Sequence, residues 1–313
     1  MDIVFMGTPD FAVPSLEALL EIEVIKVKGV ISQPDRKRGR GQKLQPTPVK
    51  KKALEYDLEV FQPEDISEGI DKLKEWAPEV IAVVAYGQIL PEEVLNLPHY
   101  GCINLHSSLL PKYRGAAPIH RAIINGDQVT GVTTMKLELG MDTGDMILQQ
   151  EVEITAEDTV GSLHDRLALV GGELLVQTLT AIADGSVSYQ KQDDTVATYA
   201  DKVDKKEGEI DWGQSAEDIW NLIRGFNPWP GSYTYYQGQR LKLWASQVVD
   251  QKKVNDKIEA GTIVELDNDL GIVVQTGKGQ IALTELQPAS KQKMSATDYL
   301  LGYDIKVGSK LGD

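Results

Sequence analysis

The chain has 313 residues, a length that favours two domains over a single hydrophobic core. Charged residues make up 25% and hydrophobic residues 42% of the composition, which is ordinary for a soluble globular protein. Cys102 is the only cysteine, so an intrachain disulfide is excluded and a reducing compartment fits. We interpret Cys102 as a small buried side chain rather than a nucleophile.

The net charge of -15 argues against a nucleic-acid partner if the charge is spread evenly, because phosphates repel an acidic surface. The charge is not spread evenly. Residues 35–52 hold eight basic side chains against the single acid Asp35. A basic patch of this kind on an acidic body can bind RNA locally, so composition alone leaves the question open.

The first residues, Met1-Asp2-Ile3-Val4-Phe5, are typical of a first strand. They lack the basic segment and the long apolar segment of a signal peptide. No stretch of the sequence approaches the length expected of a membrane span. These features predict a cytoplasmic protein without a membrane partner, and we expect it to be a monomer.

In chain order, apolar runs alternate with helical patterns through the first half, which indicates βαβ units around a mostly parallel sheet. The predicted strands are residues 3–6, 24–31, 60–61, 80–84 and 102–106. The predicted helices are residues 10–20, 48–56 and 66–76. A strand pair at 129–137 and 146–154 and a long helix at 159–184 complete a predicted domain of residues 1–186.

Residues 187–207 are polar, and we predict a linker on the surface there. Ser215 then begins a short predicted helix that ends at Arg224. Short strands follow, predicted at residues 231–236, 240–248, 262–265, 271–275 and 280–286. Their spacing predicts a small β-barrel of the oligonucleotide-binding (OB) type in a second domain of residues 208–313.

Polar side chains cluster around the end of the strand predicted at 102–106. Asn104 and His106 are two residues apart, so both point to the same face of a strand. Asp142 follows His106 after 36 residues, between Gly140 and Gly144. An amide that donates to an oxygen, an imidazole that carries a proton and a carboxylate that orients the imidazole suit acyl transfer. Taken singly, each is more often a turn, cap or structural residue.

The run LLPKYRGAAP at residues 109–118 carries a family likeness. It closely resembles the signature of the folate-dependent formyltransferases. Matching segments occur in order at residues 5–12, 33–36, 84–87, 226–230 and 287–289. The chain is therefore identified as a member of this family over nearly its whole length, and it is most similar to the members that act on methionyl-tRNA.

The resemblance implies an α/β fold, with a Rossmann-like formyltransferase domain followed by an OB-like barrel that helps to hold tRNA. It implies transfer of a formyl group from 10-formyltetrahydrofolate to the α-amino group of initiator methionyl-tRNA, with tetrahydrofolate as the second product. Asn104 would donate to the oxyanion, His106 would manage the proton, and Asp142 would hold the imidazole. Neither a metal nor a covalent intermediate is needed, because the formyl donor is already activated.

The resemblance also implies where folate binds. The segment of Ser108, Leu109, Leu110 and Pro111 would contact the cofactor. Tyr86 and Gly87 should lie nearby, since open α/β sheets bind ligands beyond the carboxyl ends of their strands. The turn of residues 139–145 would lend main-chain groups. Arg114 has two open interpretations, a local salt bridge or a part in closing the pocket.

The basic loop of residues 35–43 would enter the acceptor stem of the tRNA, by the same resemblance. Its glycines disfavour a helix, and phosphate contacts are predicted for Arg36, Arg38, Arg40 and Lys43. The alternative is a solvated loop without a partner. Lys291 and Lys293 are weaker candidates for RNA contact.

Other enzymes that handle a formyl group would differ from this chain in the loops and domains that they need. The turn after the first strand, Gly7-Thr8-Pro9-Asp10, contains neither a dinucleotide fingerprint nor a P-loop. A glycinamide ribonucleotide formyltransferase would have one domain with a phosphate-binding glycine loop, and a formyltetrahydrofolate hydrolase would need neither the basic loop nor the second domain. A sugar-nucleotide N-formyltransferase remains the main alternative, although the basic insertion is not expected there. An RNA-binding module with a degenerate catalytic half would not keep Asn104, His106 and Asp142.

Overall fold

The computed structural model describes residues 1–38, 41, 43–249 and 258–312, with Arg38 described by its main chain only. These residues form two compact units. The first comprises Met1–Pro118, Val129–Glu153 and His164–Ala200. The second comprises Ile119–Gln128, Ile154–Leu163 and Asp201–Asp313.

The strands up to residue 200 are β1 (Asp2–Gly7), β2 (Lys26–Ile31), β3 (Arg36–Arg38), β4 (Lys43–Gln45), β5 (Val60–Phe61), β6 (Val80–Val84), β7 (Cys102–His106), β8 (Arg114–Gly115), β9 (Val129–Lys136), β10 (Met146–Glu153) and β11 (Tyr199–Ala200). The helices of the same stretch are α1 (Val13–Leu20), α2 (Pro48–Glu55), α3 (Ile70–Trp76), α4 (Glu92–Leu95), α5 (Pro118–Ile124) and α6 (Val160–Asp184). The sequence pattern did not predict α4, α5, β8 or β11.

The main sheet of the first unit has the strand order β10-β9-β7-β6-β1-β2-β5. The strands from β7 to β5 are parallel, whereas β9 is antiparallel to β7 and β10 is antiparallel to β9. The chain leaves β1 toward β2 and later returns to its other side with β6, so the strand order reverses between β1 and β6. The predicted mostly parallel α/β sheet is confirmed, and its switch point lies where the β1 and β6 carboxyl ends meet.

Helices cover this sheet because its central strands are apolar on both sides, as in β6, which is buried throughout. On one face, Leu73 and Trp76 of α3 pack in a core cluster with Val4 and Met6 of β1. Gly171 of α6 lies so near β7 that a Cβ there would be 2.6 Å from Leu105 Cδ2. The sheet end that carries His106 is thus fixed by packing.

Helix α6 contradicts one expectation. Its 25 residues are long and apolar enough to span a membrane by length and composition, which the sequence analysis excluded for every stretch. Half of its most apolar window is buried within the protein, including Leu167, Leu175 and Leu179. Such burial is typical of the core helix of a folded domain, whose apolar residues pack internally.

The predicted basic loop contains a β-hairpin. β3 pairs antiparallel with β4, with Arg36 opposite Gln45 and Lys37 opposite Leu44. The two strands form a sheet of their own. The sequence pattern did not reveal the strands because a solvated hairpin has no apolar face to produce alternation.

The segment predicted as a linker, residues 187–207, is divided between the two units. Within the first unit, β11 pairs in parallel with β8, and Gln190 forms a bridge with Met146. Its polar residues therefore make main-chain pairs as well as covering the surface. The predicted boundaries at residues 186 and 208 stay predictions.

The second unit contains an antiparallel sheet and two further helices. Its elements are α7 (Ala216–Gly225), β12 (Ser232–Tyr236), β13 (Gln239–Val249), β14 (Ile263–Asp267), β15 (Gly271–Gln275), β16 (Gln280–Pro288), β17 (Met294–Ser295) and α8 (Ala296–Gly302). The strand order is β12-β13-β16-β15-β14, with β17 added to β16. The predicted β-rich second part is confirmed, while closure into a barrel stays a prediction.

This unit has its own core, which includes Trp212, Ile219 and Leu283. Ser215 caps the N-terminus of helix α7, since its hydroxyl accepts a hydrogen bond from the Asp218 N–H. Helix α8 was not predicted, although Ser295 and Asp298 form the same kind of cap there. Its seven residues are too few to establish a helical period in the sequence.

Candidate active site

The candidate site lies at the carboxyl end of β7, in the middle of the first unit's sheet. Asn104 and His106 alternate with the buried Ile103 and Leu105, so the two polar side chains share one face, as predicted. His106 is 6% exposed, whereas Asn104 is half-buried. Within the described residues, the Asn104 amide has no hydrogen-bond partner. It is therefore free to donate to an oxygen from outside the protein.

His106 uses its two ring nitrogens differently. Nε2 lies 2.9 Å from the main-chain oxygen of Tyr113. A carbonyl oxygen can only accept, so Nε2 carries a proton and donates it. Nδ1 faces Oδ2 of Asp142 at 3.7 Å, the distance of an ion pair rather than of a direct hydrogen bond. Nδ1 is consequently the nitrogen left to exchange a proton.

Asp142 is held in position by main-chain and side-chain contacts. Its φ of 54° lies in the left-handed region, which few residues other than glycine adopt. Oδ2 accepts a hydrogen bond from the Gly115 N–H at 2.8 Å. Its main-chain oxygen accepts one from Nε2 of Gln192, also at 2.8 Å. The structure thus brings His106 and Asp142 together, although they are 36 residues apart in the sequence.

The segment predicted to contact folate is held in place by hydrogen bonds from side chains of β9 and β10. The main-chain oxygen of Ser108 accepts from the Thr133 hydroxyl at 2.7 Å, and that of Leu110 accepts from Nε2 of Gln149 at 2.8 Å. Ser108 and Leu110 are buried, whereas Leu109 and Pro111 are half-buried. Leu109 and Pro111 therefore have the accessible surface for a ligand, and Ser108 and Leu110 support them.

Tyr86 and Gly87 follow β6 at the switch point. The Thr8 hydroxyl donates to the main-chain oxygen of Tyr86 at 2.8 Å, which joins the carboxyl ends of β1 and β6. The Tyr86 ring is 2% exposed and packs in the core cluster of β1 and α3, where burial raises the pKa of its hydroxyl to about 12. Gly87 is exposed and has a φ of 92°. The surface available here is thus main chain rather than the tyrosine ring.

Two buried residues lie near the site: Gln192, which was not predicted to act there, and Arg114, whose role the sequence left open. Gln192 is 5% exposed and bonds to the turn that carries Asp142, although the sequence analysis placed it in a linker. Arg114 is 2% exposed and donates to Gln192 and to Asp194, so the local salt bridge is the interpretation that the contacts support. No sequence signal marks Gln192, because its partners are 48 and 50 residues away.

The chain matches the formyl transferase family model over residues 1–179 and the model for the formyl transferase C-terminal domain over residues 202–304. The chain belongs to the formyl transferase family.

Curated relatives in this family match the whole chain. A protein named methionyl-tRNA formyltransferase from Halothermothrix orenii is 54% identical, with 100% of each chain covered. Another of that name from Acetivibrio thermocellus is 47% identical with the same coverage. The solved structure of WlaRD, a sugar 3N-formyl transferase in the presence of dTDP and 5-N-formyl-THF, shares the fold with a TM-score of 0.67. It is 21% identical and covers 93% of this chain and 99% of its own.

Three of the predicted tRNA-contacting residues, Arg36, Arg38 and Lys43, lie in the paired strands β3 and β4. Arg36 and Lys43 are exposed, and Nη2 of Arg36 lies 3.4 Å from Glu64 Oε2. Arg38 belongs to β3, and Arg40 lies outside the described residues. Among the described residues, Lys43 has no ion-pair partner. Of the weaker candidates in the second unit, Lys291 is exposed and Lys293 pairs with Glu285 at 2.6 Å.

Away from this site, the described residues line a cavity but form no cluster of metal ligands. In the parts of the chain that are described, no group of three or more His, Cys, Asp or Glu side chains could hold a metal ion. A cavity of about 630 Å³ lies in the second unit, between Glu157, Trp220 and Lys278. Its lining residues belong to that unit alone and include none of the candidate catalytic residues.

Proposed function

We infer that this protein transfers a formyl group from 10-formyltetrahydrofolate to the α-amino group of initiator methionyl-tRNA. Relatives named methionyl-tRNA formyltransferase support this, because they match the full chain at about half identity. The structural observation that carries the proposal is the approach of His106 and Asp142 to 3.7 Å on the strand that also presents the unpartnered amide of Asn104. The protein accordingly has tRNA and folate as partners.

The described residues fit a folate formyl donor. The Asn104 amide is accessible and has no protein partner, so it can bind the formyl oxygen. The structure pairs none of the main-chain N–H groups of residues 139–144, all of them described, with a protein acceptor. Leu139 and Met141 in the same turn are 68% and 64% exposed. Main-chain N–H groups next to apolar side chains suit a pterin ring, because the ring has polar edges and a flat apolar face.

In the proposed reaction, the α-amine attacks the formyl carbon while that carbon's oxygen becomes negative. Asn104 donates an N–H to this oxyanion, a contact that strengthens as charge develops. Nδ1 of His106 accepts the proton that the amine loses, and Asp142 stabilises the imidazolium that forms. His106 then returns the proton to the folate nitrogen as its bond to the formyl carbon breaks. One C–N bond forms, one breaks, and no proton is left over.

Contact between the β3–β4 hairpin and tRNA belongs to the same proposal. Arg36, Arg38, Arg40 and Lys43 supply the cations for phosphate contacts there. Support comes from the exposure of Arg36 and Lys43 on a chain that is otherwise acidic. We also propose that the protein acts in the cytoplasm, as a monomer, without a membrane partner.

A formyl-transfer assay with three acceptors tests the function. Purified protein and 10-formyltetrahydrofolate are offered initiator methionyl-tRNA, glycinamide ribonucleotide and an amino-sugar nucleotide in parallel. We expect formylmethionyl-tRNA to be the only product formed at an appreciable rate. Formylation of the sugar nucleotide while methionyl-tRNA stays unmodified would refute the proposal in favour of the sugar-nucleotide alternative.

A further inference from the structure

The turn that carries Asp142 is held by two buried side chains, Gln192 and Arg114. Nε2 of Gln192 donates to the main-chain oxygens of Asp142 at 2.8 Å and of Gly144 at 2.7 Å. Its amide oxygen accepts from Nε and Nη2 of Arg114 at 3.0 and 2.9 Å. Both polar atoms of the Gln192 side chain are therefore engaged, and together they connect Arg114 to the turn.

Strand β8 supports Asp142 at a second point. Gly115 directly follows Arg114, and its N–H donates to the Asp142 carboxylate at 2.8 Å. A Cβ at Gly115, which has a φ of 120°, would lie 2.8 Å from the main-chain oxygen of Ala200. Two consecutive residues of one strand thus hold the turn, Arg114 through Gln192 and Gly115 directly.

These contacts matter because a left-handed conformation, although aspartate adopts it more often than most residues other than glycine, still has a cost that the surroundings must offset. The φ of 54° at Asp142 persists only where the surroundings determine it. A buried amide such as that of Gln192 is costly unless its hydrogen bonds are made, so the amide and the turn hold each other in one arrangement. The carboxylate lies only 3.7 Å from Nδ1 of His106, so a small shift of the turn changes that distance directly.

We propose that Gln192 is a positioning residue for formyl transfer, acting through Asp142 on His106. The proposal rests on the proposed function and deepens it. Gln192 contacts the main chain of the turn and Arg114, and its role is to keep the Asp142 carboxylate facing Nδ1. Losing it should slow the chemical step more than it weakens the binding of either substrate.

The test compares Gln192→Ala with Gln275→Ala. Gln275 is a matched control, because it is 2% exposed and its Nε2 donates to the main-chain oxygens of Thr276 and Gly279 at 3.0 and 3.1 Å, in a turn of the second unit. We expect Gln192→Ala to lower kcat by about 10- to 100-fold, with KM for folate and for tRNA within about threefold of wild type. We expect Gln275→Ala to leave kcat unchanged.

A double variant distinguishes positioning from general destabilisation. If Gln192 acts through Asp142, then Asp142→Asn combined with Gln192→Ala is no slower than Asp142→Asn alone, within about threefold. Losses that multiply in the double variant would overturn the proposal. So would a Gln192→Ala kcat near that of wild type, a loss confined to KM, or an equal loss in Gln275→Ala.

Gln192→Glu covers the case in which the alanine variant does not fold. It keeps the shape of the side chain and its contact with Arg114 but removes both Nε2 donors, so the same outcomes apply. Wild-type turnover of methionyl-tRNA is measured in the same assay. Absent wild-type turnover refutes the proposed function, whereas wild-type turnover with unchanged Gln192 variants refutes this inference alone.

Discussion

His106 is buried, yet one of its nitrogens remains available. Its Nε2–H is committed to the Tyr113 carbonyl, which fixes the orientation of the ring. Nδ1 faces Asp142, and Asp142 takes a hydrogen bond from the main chain of Gly115 rather than from the ring. At the scale of single residues, the candidate site thus contains an imidazole with one nitrogen committed to the main chain and one that faces a carboxylate and is available to carry a proton.

Substitution of these residues should remove chemistry and spare the fold. We expect His106→Ala or Asp142→Asn to reduce kcat by about 100-fold or more, because each removes a group that acts on the proton in the transition state. The measurement is steady-state formylation of methionyl-tRNA, with circular dichroism to check folding. The exposed His99 gives a control, since His99→Ala should retain full turnover. Near-native turnover in both site variants would contradict the assignment.

Asp35 gives a pH-dependent prediction about stability. Burial by itself would raise the pKa of Asp35, but hydrogen bonds from Lys50 and Gln62 outweigh it and hold the pKa below its ordinary value. A depressed pKa means that ionised Asp35 stabilises the folded state above the ordinary pKa. The contribution is lost as the pH falls through the lowered pKa.

We therefore expect Asp35→Asn to lower the free energy of unfolding by about 1 kcal/mol at pH 7. The difference from wild type should shrink as the pH falls from neutral through the ordinary range of an aspartate pKa and below it. Urea unfolding at several pH values measures this, with the exposed Asp269→Asn as the control. A difference that grew toward acid pH would contradict the direction of the shift.

At the scale of elements, the β3–β4 hairpin stands apart from the main sheet and pairs only with itself among the described strands. Its anchor is the Asp35 cluster, in which Lys50 Nζ lies 2.7 Å from Asp35 and 2.6 Å from Gln62. The exposed cations of the hairpin therefore extend from a fixed base. This arrangement suits contact with a polyanion better than a solvated loop does.

Loss of one hairpin cation should weaken tRNA binding through its charge. We expect Lys43→Ala and Arg40→Ala each to raise KM for tRNA and to reduce the slope of log KM against log salt by about one, with KM for folate unchanged. Lys74→Ala is the control, because Lys74 is an exposed cation on α3 paired with Glu93. An unchanged salt slope in both hairpin variants would remove this element from the RNA interface.

At the scale of the whole molecule, the described residues of each unit form hydrophobic clusters of their own, which share no residue. Every buried member of the second unit's cluster lies between Ile210 and Leu311. Additional contacts come from earlier in the chain, where Nη1 of Arg224 donates to the main-chain oxygens of Thr155 and Asp158. That cluster is thus formed without the earlier segments, whereas the C-terminal end of α7 also packs against them, since a Cβ at Gly225 would lie 2.7 Å from Ile124 Cγ1.

A fragment of residues 201–313 should therefore fold by itself. We expect a single cooperative unfolding transition, because the buried cluster is intact within the fragment. Denaturant unfolding followed by near-UV circular dichroism measures it. A gradual transition without near-UV signal would indicate instead that residues 119–128 and 154–163 are required for the core.

The sequence by itself determined those elements whose burial shows as an apolar pattern among neighbouring residues. β1 and β6 were predicted because a strand buried on both faces is a continuous apolar run, and Asn104 and His106 were placed on one face by the two-residue period of β7. The family likeness led to the proposed function and to the role proposed for Asp142. Elements without a periodic apolar pattern, such as the hairpin, β11 and α8, left no such trace.

Only the tertiary structure decided how Asp142 is held. Arg114 meets Gln192 across 78 residues, and Gln192 meets the Asp142 turn across 50, so no local pattern relates them. The same holds for Tyr86. The sequence predicted that this residue lies near folate, whereas the fold buries its ring in the hydrophobic core. A hydrogen bond between distant segments depends on where packing brings them, and that placement is a property of the whole fold rather than of any segment.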